Sequence, residues 1–254
     1  MTGIRFESIE RIALITIDRP ERRNAIDRLT ADALAAALDE LDARDDLAVG
    51  VLTGAGSSFS AGMDLKAVNA GGERPITASR GMFGIAERPP EKPLIAAVEG
   101  AALGGGCEIA LACDLIVAAS NASFGLPEVK RGLVASAGGM IRLPRRIPRA
   151  IALEHVLTGA PLTADRAREL GLVSRVCEPG DAQEVALGLA GEIAQNAPLA
   201  VRAAKQIVGD SLDVPFAVAF TAQQPKVQMV RESEDAREGM LAFIEKRPAV
   251  WRGR

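Results

Sequence analysis

An α/β fold with a helical carboxyl end is predicted by three observations. Short apolar runs rich in β-branched residues alternate with helical spacings in the first half of the chain. Several of these runs end in glycine or proline turns. After about residue 140 strand-like runs almost cease and helical segments follow one another. The first run, "RIALITIDRP", alternates in part and reads as a strand ending before Pro20. In "LTADALAAALDELDAR", Leu34, Leu38 and Leu41 have helical spacing, with Thr30 placed to cap them. "VGVLTGAG" is a short buried strand running into glycines, and "PLIAAVEG" and "DLIVAA" repeat that form. Strands separated by helices in this way imply crossover connections. The later segments "RAIALEHVLTG", "TADRARELG", "DAQEVALGLAGEIAQNA", "PLAVRAAKQIVGDS", "PFAVAFTAQQPKVQMVRE" and "SEDAREGMLAFIEKR" are helical, punctuated by Gly and Pro. Among them only "LVSRV" looks like strand.

Composition narrows the function classes. The 254 residues are 48% hydrophobic and 25% charged, which builds a sizeable core. A net charge of −3 gives no basic field for nucleic acid or anionic lipid. Cys107, Cys113 and Cys177 are scattered and odd in number, so they read as reduced thiols of a cytoplasmic protein, not a disulfide frame or a zinc site. The amino terminus lacks the pattern of a signal peptide. The apolar region Leu94 to Ala119 is interrupted by Glu99, Glu108 and Asp114, so it reads as core and not as a membrane span.

Two glycine-containing turns follow two buried strands: "SSFSAGMDLKAV" and "EGAALGGGCE". Each leads into a helix start, where the first N–H groups lack intrahelical partners. Glycine lets a ligand approach that backbone. Two such groups converging make an oxyanion hole, and the candidates are the N–H groups of Met63 and Gly105. The alternative is a pair of tight turns, with Gly105 serving close helix packing. The triple glycine has neither GxGxxG spacing nor a following GK[ST]. Glu108 is a carboxylate inside an apolar helix, costly unless something uses it. "NASFGLPEVKRG" supplies a second, Glu128, with Pro127 marking a turn or first helical position. Two carboxyls in one apolar pocket push at least one pKa upward, so one serves as acid and the other as base. Alternatively, Glu128 is a charge at a helix start. His155 reads as packed, Trp251 as an anchor for the tail, and Ser57, Ser58 and Ser60 have no evident His and Asp partners.

"FSAGMDL", "AAVEGAALGGGCEIALACDLIVA", "FGLPEVKRGL", "AGGMIRLPRRI", "LTGAPLTADRARELGLVSRV" and "EGMLAFIEKRPAVWRGR" closely resemble the crotonase, or enoyl-CoA hydratase/isomerase, superfamily. The resemblance implies a crotonase-type ββα spiral, expected over residues 1–195, and a helical trimerisation region over 196–254. Two trimers usually stack into a hexamer. It implies acyl-CoA thioester substrates, with coenzyme A a carrier within the substrate and no metal or redox cofactor needed. By position, Met63 and Gly105 become the oxyanion donors, and Glu108 and Glu128 the groups that handle water and proton. Ala61, Asp64, Leu65 and Lys66 become candidate CoA contacts, Arg22 and Arg23 of "RPERRNAI" candidate phosphate contacts, and Phe243 and Lys246 closures of the CoA site. One departure stands out: Ala135 and Ser136 replace a Pro and a Gly common in hydratases. Ser136 keeps the N–H that orients water in the family and adds a hydroxymethyl group near the acyl pocket.

The expected activity is that of a 2-enoyl-CoA hydratase, a lyase of acyl-CoA degradation. An enoyl-CoA isomerase and a specialised dehydratase of carnitinyl-CoA type are the alternatives. The presence of both glutamates favours the hydratase, since isomerases often manage with one at the Glu128 position. A non-catalytic RNA-binding member is disfavoured by the missing basic surface.

Overall fold

The strand expected in "RIALITIDRP" is β2 (Ile12–Ile17), buried along its whole length. The computed structural model, which describes residues 2–254, pairs it antiparallel with β1 (Ile4–Ile9), a strand not anticipated from the sequence. Arg5, Glu7 and Ser8 give β1 too little apolar pattern; pairing with β2 makes it a strand. A tight turn with Glu10 at φ 52° joins the two. On its other side β2 runs parallel to β3 (Val49–Gly54).

Helix α1 (Arg28–Ala43) lies between β2 and β3 in sequence. Its cap is Asp27, not Thr30. Asp27 accepts from the Thr30 N–H at 2.9 Å and from the Thr30 hydroxyl at 2.8 Å. A cap must sit two or three residues ahead of the N–H that it holds, so the helix starts earlier than its leucine spacing indicates. Leu34, Leu38 and Leu41 are buried, as that spacing requires.

From β3 onward the chain repeats a strand, a turn, a second strand position and a helix. After β3 comes Ser60, bridged to Ala102, and then α2 (Leu65–Asn69). A small hairpin, β4 (Ile76–Thr77) and β5 (Gly81–Met82), follows. Then β6 (Leu94–Val98), β7 (Ala101–Leu103) and α3 (Gly105–Ala112) complete a turn of the spiral. Next come β8 (Leu115–Ala119), β9 (Ser123–Gly125) and the 3-10 turn Pro127–Arg131. Helices α4 (Gly139–Arg146) and α5 (Arg149–Thr158) lead to β10 (Leu162–Thr163), α6 (Ala164–Glu169), β11 (Arg175–Cys177) and α7 (Ala182–Ala194).

The main sheet has the order β1-β2-β3-β6-β8-β11, and a second has the order β10-β9-β7. The near-continuous apolar runs are explained by burial of the main sheet on both faces. Ile15, Ile17, Leu52, Ala96 and Ile116 face the core that includes α1 and α3. Ile12, Leu14, Val51, Ile95 and Val117 face Ala182, Ala186 and Ala190 of α7. Those alanines, one per turn, allow helix and sheet to approach closely.

The helical end comprises α8 (Pro198–Asp210), α9 (Phe216–Ala222), α10 (Gln224–Glu232) and α11 (Glu234–Glu245). The segment read as one helix from Pro215 is thus two, broken ahead of Pro225, which has no N–H to continue the ladder. Lys205 ties α8 to the sheet by donating to Asp114 at 2.7 Å and to the carbonyls of Pro90 and Lys92. Trp251 anchors the tail, its Nε1–H donating to the Gln195 carbonyl at 2.6 Å. His155 is half-buried and bonded to the Ala160 carbonyl, a packed role. The three cysteines are free. No helix among the described residues is long and apolar enough to cross a membrane.

Candidate active site

The two glycine turns lie side by side. Ser60 N–H donates to the Ala101 carbonyl, and Leu103 N–H donates to the Ser60 carbonyl, both at 3.1 Å. Gly62, at φ +86°, would place a Cβ 2.6 Å from the Gly105 nitrogen, so only glycine permits this approach. The buried Ser60 hydroxyl accepts from Gly62 N–H and donates to the Asn24 carbonyl. The Asn24 amide holds the carbonyls of Ala55 and Ser58. Ser60 thus braces the first turn, a structural role that its sequence context did not reveal.

Ile26 bonds the carbonyl of Gly62 and the N–H of Asp64, skipping Met63. Successive N–H groups of extended backbone point opposite ways, which turns the Met63 N–H away from Ile26. Gly105 is the first residue of α3, so its N–H is an orphan of the helix start. Neither N–H has a hydrogen-bond acceptor among the described residues.

Glu108 lies one turn along α3 from Gly105 and is 3% exposed. Its Oε1 accepts from Ala137 N–H at 2.6 Å and from Gly139 N–H at 2.9 Å. Gly139 is close enough that an added Cβ would stand 2.9 Å from the Glu108 Cγ. Glu128 follows Pro127 in the 3-10 turn, the position expected for it. Its Oε1 would stand 3.2 Å from a Cβ added at Gly104, and its buried Oε2 has no partner.

Burial pushes the Glu108 carboxyl above the ordinary carboxylate range. The two N–H bonds oppose that rise, and the Glu128 charge adds to it. Burial likewise raises Glu128, opposed by its backbone hydrogen bond and by Arg131. The folded protein therefore holds these protons more readily than the unfolded chain. Charging the buried carboxyls costs stability as pH rises through the unfolded value near 4.5, and the cost is complete above the raised folded values. Glu128→Gln removes one such group. Its melting temperature relative to the parent should rise between about pH 4 and about pH 8. Calorimetry at the two pH values checks this, and a difference independent of pH would contradict it.

The other expected site residues are distributed unevenly. Ala61, Leu65 and Lys66 are exposed around the Met63 turn. Asp64 is buried and committed: Oδ1 caps α2 through Ala67 N–H, and Oδ2 pairs with Arg19 at 3.1 Å. Its N–H and carbonyl are also taken, by the Ile26 carbonyl and the Val68 N–H, so Asp64 anchors the turn and is not itself free to contact a ligand. Arg22 and Arg23 are exposed beside the same turn, where Ala61 N–H donates to the Arg23 carbonyl. Phe243 and Lys246 are not brought to the site by hydrogen bonds or ion pairs among the described residues; Phe243 is 85% exposed.

Ser136 lines a pocket of about 360 Å³ with Met82, Ala86, Glu87, Ile141 and Arg142. Two contributors were not anticipated. Arg142, on α4, donates to the Ala86 carbonyl at 2.6 Å and to the Ala137 carbonyl at 3.2 Å, joining the two sides of this pocket. The Phe83 ring lies where a Gly105 side chain would be. Gly105 therefore serves close packing as well as exposing its N–H. "MFGIAERPP" carries no signal that would have singled out Phe83.

A family profile for enoyl-CoA hydratase/isomerase matches residues 7–254. The chain is 45% identical over 250 residues to a carnitinyl-CoA dehydratase from Salmonella enteritidis, covering 94% of each. It superposes on an enoyl-CoA hydratase from Mycobacterium marinum with a TM-score of 0.97 and 51% identity over the whole of both chains. A carnitinyl-CoA hydratase from Mycobacterium avium matches with a TM-score of 0.80 and 44% identity, again over both whole chains.

Proposed function

The chain belongs to the enoyl-CoA hydratase/isomerase family, and on that premise we propose that it is a 2-enoyl-CoA hydratase. It adds water across the double bond of a trans-2-enoyl-CoA thioester to give the 3-hydroxyacyl-CoA. One observation carries this reading: a buried carboxyl, Glu108, and a half-buried one, Glu128, with different hydrogen-bonding environments lie beside two backbone N–H groups without acceptors.

The chemistry follows from that arrangement. The thioester oxygen takes the Met63 and Gly105 N–H groups. Conjugation makes the β-carbon electrophilic, and the two donors stabilise the oxyanion that forms when water attacks, by a few kcal/mol each. Glu108 has one oxygen fixed by two N–H bonds, so its other oxygen accepts from the water. Glu128, its pKa raised by burial, delivers a proton to the α-carbon while Glu108 takes the proton that water loses on bonding the β-carbon, and that proton returns to Glu128 before the next turnover. Coenzyme A enters and leaves as part of the substrate. Arg22 and Arg23, exposed near the Met63 turn, are proposed to contact its phosphates, and Lys66 to contact coenzyme A.

A second reading is favoured by the relatives named for carnitinyl-CoA. Dehydration of a 3-hydroxyacyl-CoA is the same reaction reversed and uses the same groups. The substituent beyond the β-carbon separates the two readings. Turnover of crotonyl-CoA against its trimethylammonium analogue, crotonobetainyl-CoA, tests them: preference for the latter would replace the hydratase reading with the dehydratase one.

Ser136 bears on the same choice. Its exposed hydroxyl lines the pocket. A long alkyl chain crossing it would remove its water without a replacement, costing roughly 1–3 kcal/mol. Ser136→Gly should improve a ten-carbon enoyl-CoA relative to a four-carbon one by several-fold in kcat/KM. Equal effects on both would remove Ser136 from specificity.

The helical end supports a homo-oligomer with trimers as its unit, stacked in pairs. Phe216 is 82% exposed, Phe243 85% and Ile244 75%, large apolar side chains that a neighbouring subunit would cover. Light scattering should give at least three times 26.6 kDa. A monomer at micromolar concentration would contradict this. The assembly and the reduced cysteines fit a cytoplasmic enzyme.

A further inference from the structure

The segment from Arg80 to Arg88 holds a backbone that its own sequence does not favour. Phe83 stands at φ +58°, between Gly81 and Gly84, both at +74°. A bulky aromatic residue in the left-handed region is an outlier that persists only where the surroundings over-determine it. The strain places something useful. The Phe83 ring packs against Gly105, the residue whose N–H forms half of the oxyanion pair. Met82, Ala86 and Glu87 from the same segment form one wall of the pocket, and Ala86 receives Arg142.

Arg80 closes the neck of this segment. Its side chain is fully buried. Its Nη1 donates to the Arg88 carbonyl at 2.8 Å, while its own carbonyl accepts from Glu87 N–H at 3.0 Å. Its Nε donates to Asp39 at 3.0 Å and its Nη2 to Asp42 at 2.9 Å, both on α1. The other oxygen of Asp42 accepts from the N–H groups of Glu91 and Lys92, which lead into β6. One guanidinium and one carboxylate thus fasten both ends of the strained segment to a single helix. A planar fork with several fixed donors suits this task, and a lysine ammonium does not.

We propose that Arg80 is a positioning residue for the reaction: through the segment it clamps, it holds Phe83 against Gly105 and fixes the adjoining wall of the acyl pocket. The inference rests on the hydratase reading above. Asp39 and Asp42 are the fixed side of the clamp.

The test compares Arg80→Lys, Arg80→Met and Asp42→Asn with the parent enzyme. Melting temperature, CoA affinity, and kcat and KM on four-carbon and ten-carbon enoyl-CoA are measured on folded protein. Misplacement of an active-site group by a fraction of an ångström lowers turnover strongly, so kcat on crotonyl-CoA should fall at least about ten-fold in Arg80→Met. CoA affinity should hold, and the ratio of four-carbon to ten-carbon turnover should shift several-fold. Arg80→Lys should recover only part of kcat. Reduced melting temperature with unchanged kcat and unchanged ratio would overturn the proposal, leaving Arg80 a stabilising residue alone. If Arg80→Met fails to fold, Asp42→Asn decides. It keeps an oxygen for Glu91 and Lys92 and loses its charge toward Arg80, so unaltered kcat and ratio there overturn the proposal. The parent enzyme separates the two ideas: no turnover of either substrate defeats the hydratase reading, whereas normal parent turnover with indifferent variants defeats only the role of Arg80.

Discussion

Glu128→Gln is expected to lower hydration of crotonyl-CoA by at least about 100-fold, the scale of a positioned acid–base group. Glutamine fills the same space but has no proton to deliver to the α-carbon. Glu108→Gln should cost a similar factor for a different reason. Its Oε1 holds the N–H groups of Ala137 and Gly139. An amide can keep those bonds through its oxygen, but it turns an NH₂ donor toward the water that must itself donate. Both variants should still bind a saturated acyl-CoA, because the oxyanion donors are backbone. Burial holds both carboxyls above the ordinary carboxylate range, so the parent rate should first rise with pH as Glu108 loses its proton and then fall as Glu128 loses its own. Near-parental rates in both variants would remove these residues from catalysis.

Gly62→Ala is expected to be as damaging without touching an ionisable group. At φ +86° alanine is strained, and its methyl would meet the Gly105 nitrogen at 2.6 Å and the Leu103 carbonyl at 3.0 Å. These neighbours are backbone and cannot swing aside. The turns must separate, and the Met63 and Gly105 N–H groups no longer converge. Loss of one oxyanion donor typically costs about 100- to 1,000-fold in kcat, and that range is expected here for a folded variant. Circular dichroism reports whether it folds. A folded Gly62→Ala enzyme with normal kcat would contradict the oxyanion assignment.

Much of this site was legible because its parts carry strong local signals. Apolar runs identified β3, β6 and β8 as buried strands, the first two runs ending in glycine. A carboxylate in a helix whose eight residues are all buried marked Glu108. Pro127 fixed the turn that carries Glu128. The parts that were not legible depend on tertiary partners. β1, with only three apolar residues among its six, carries too little apolar pattern to read as a strand and is one because β2 pairs with it. Arg80 reads as a solvated arginine until Asp39 and Asp42, far away in sequence, enclose it. Phe83 gives no sign of its left-handed backbone, which the surrounding contacts impose. Ser60 lacked a catalytic partner in the sequence, and the structure gives it a bracing role. Phe243 and Lys246 came from family resemblance alone, and a single chain leaves both exposed.

The most direct measurement is the mass of the product after the enzyme is incubated with crotonyl-CoA. The account predicts the gain of one water, giving 3-hydroxybutyryl-CoA, with the gain abolished in Glu128→Gln. A shifted double bond without added mass, or recovery of unchanged crotonyl-CoA, would contradict it.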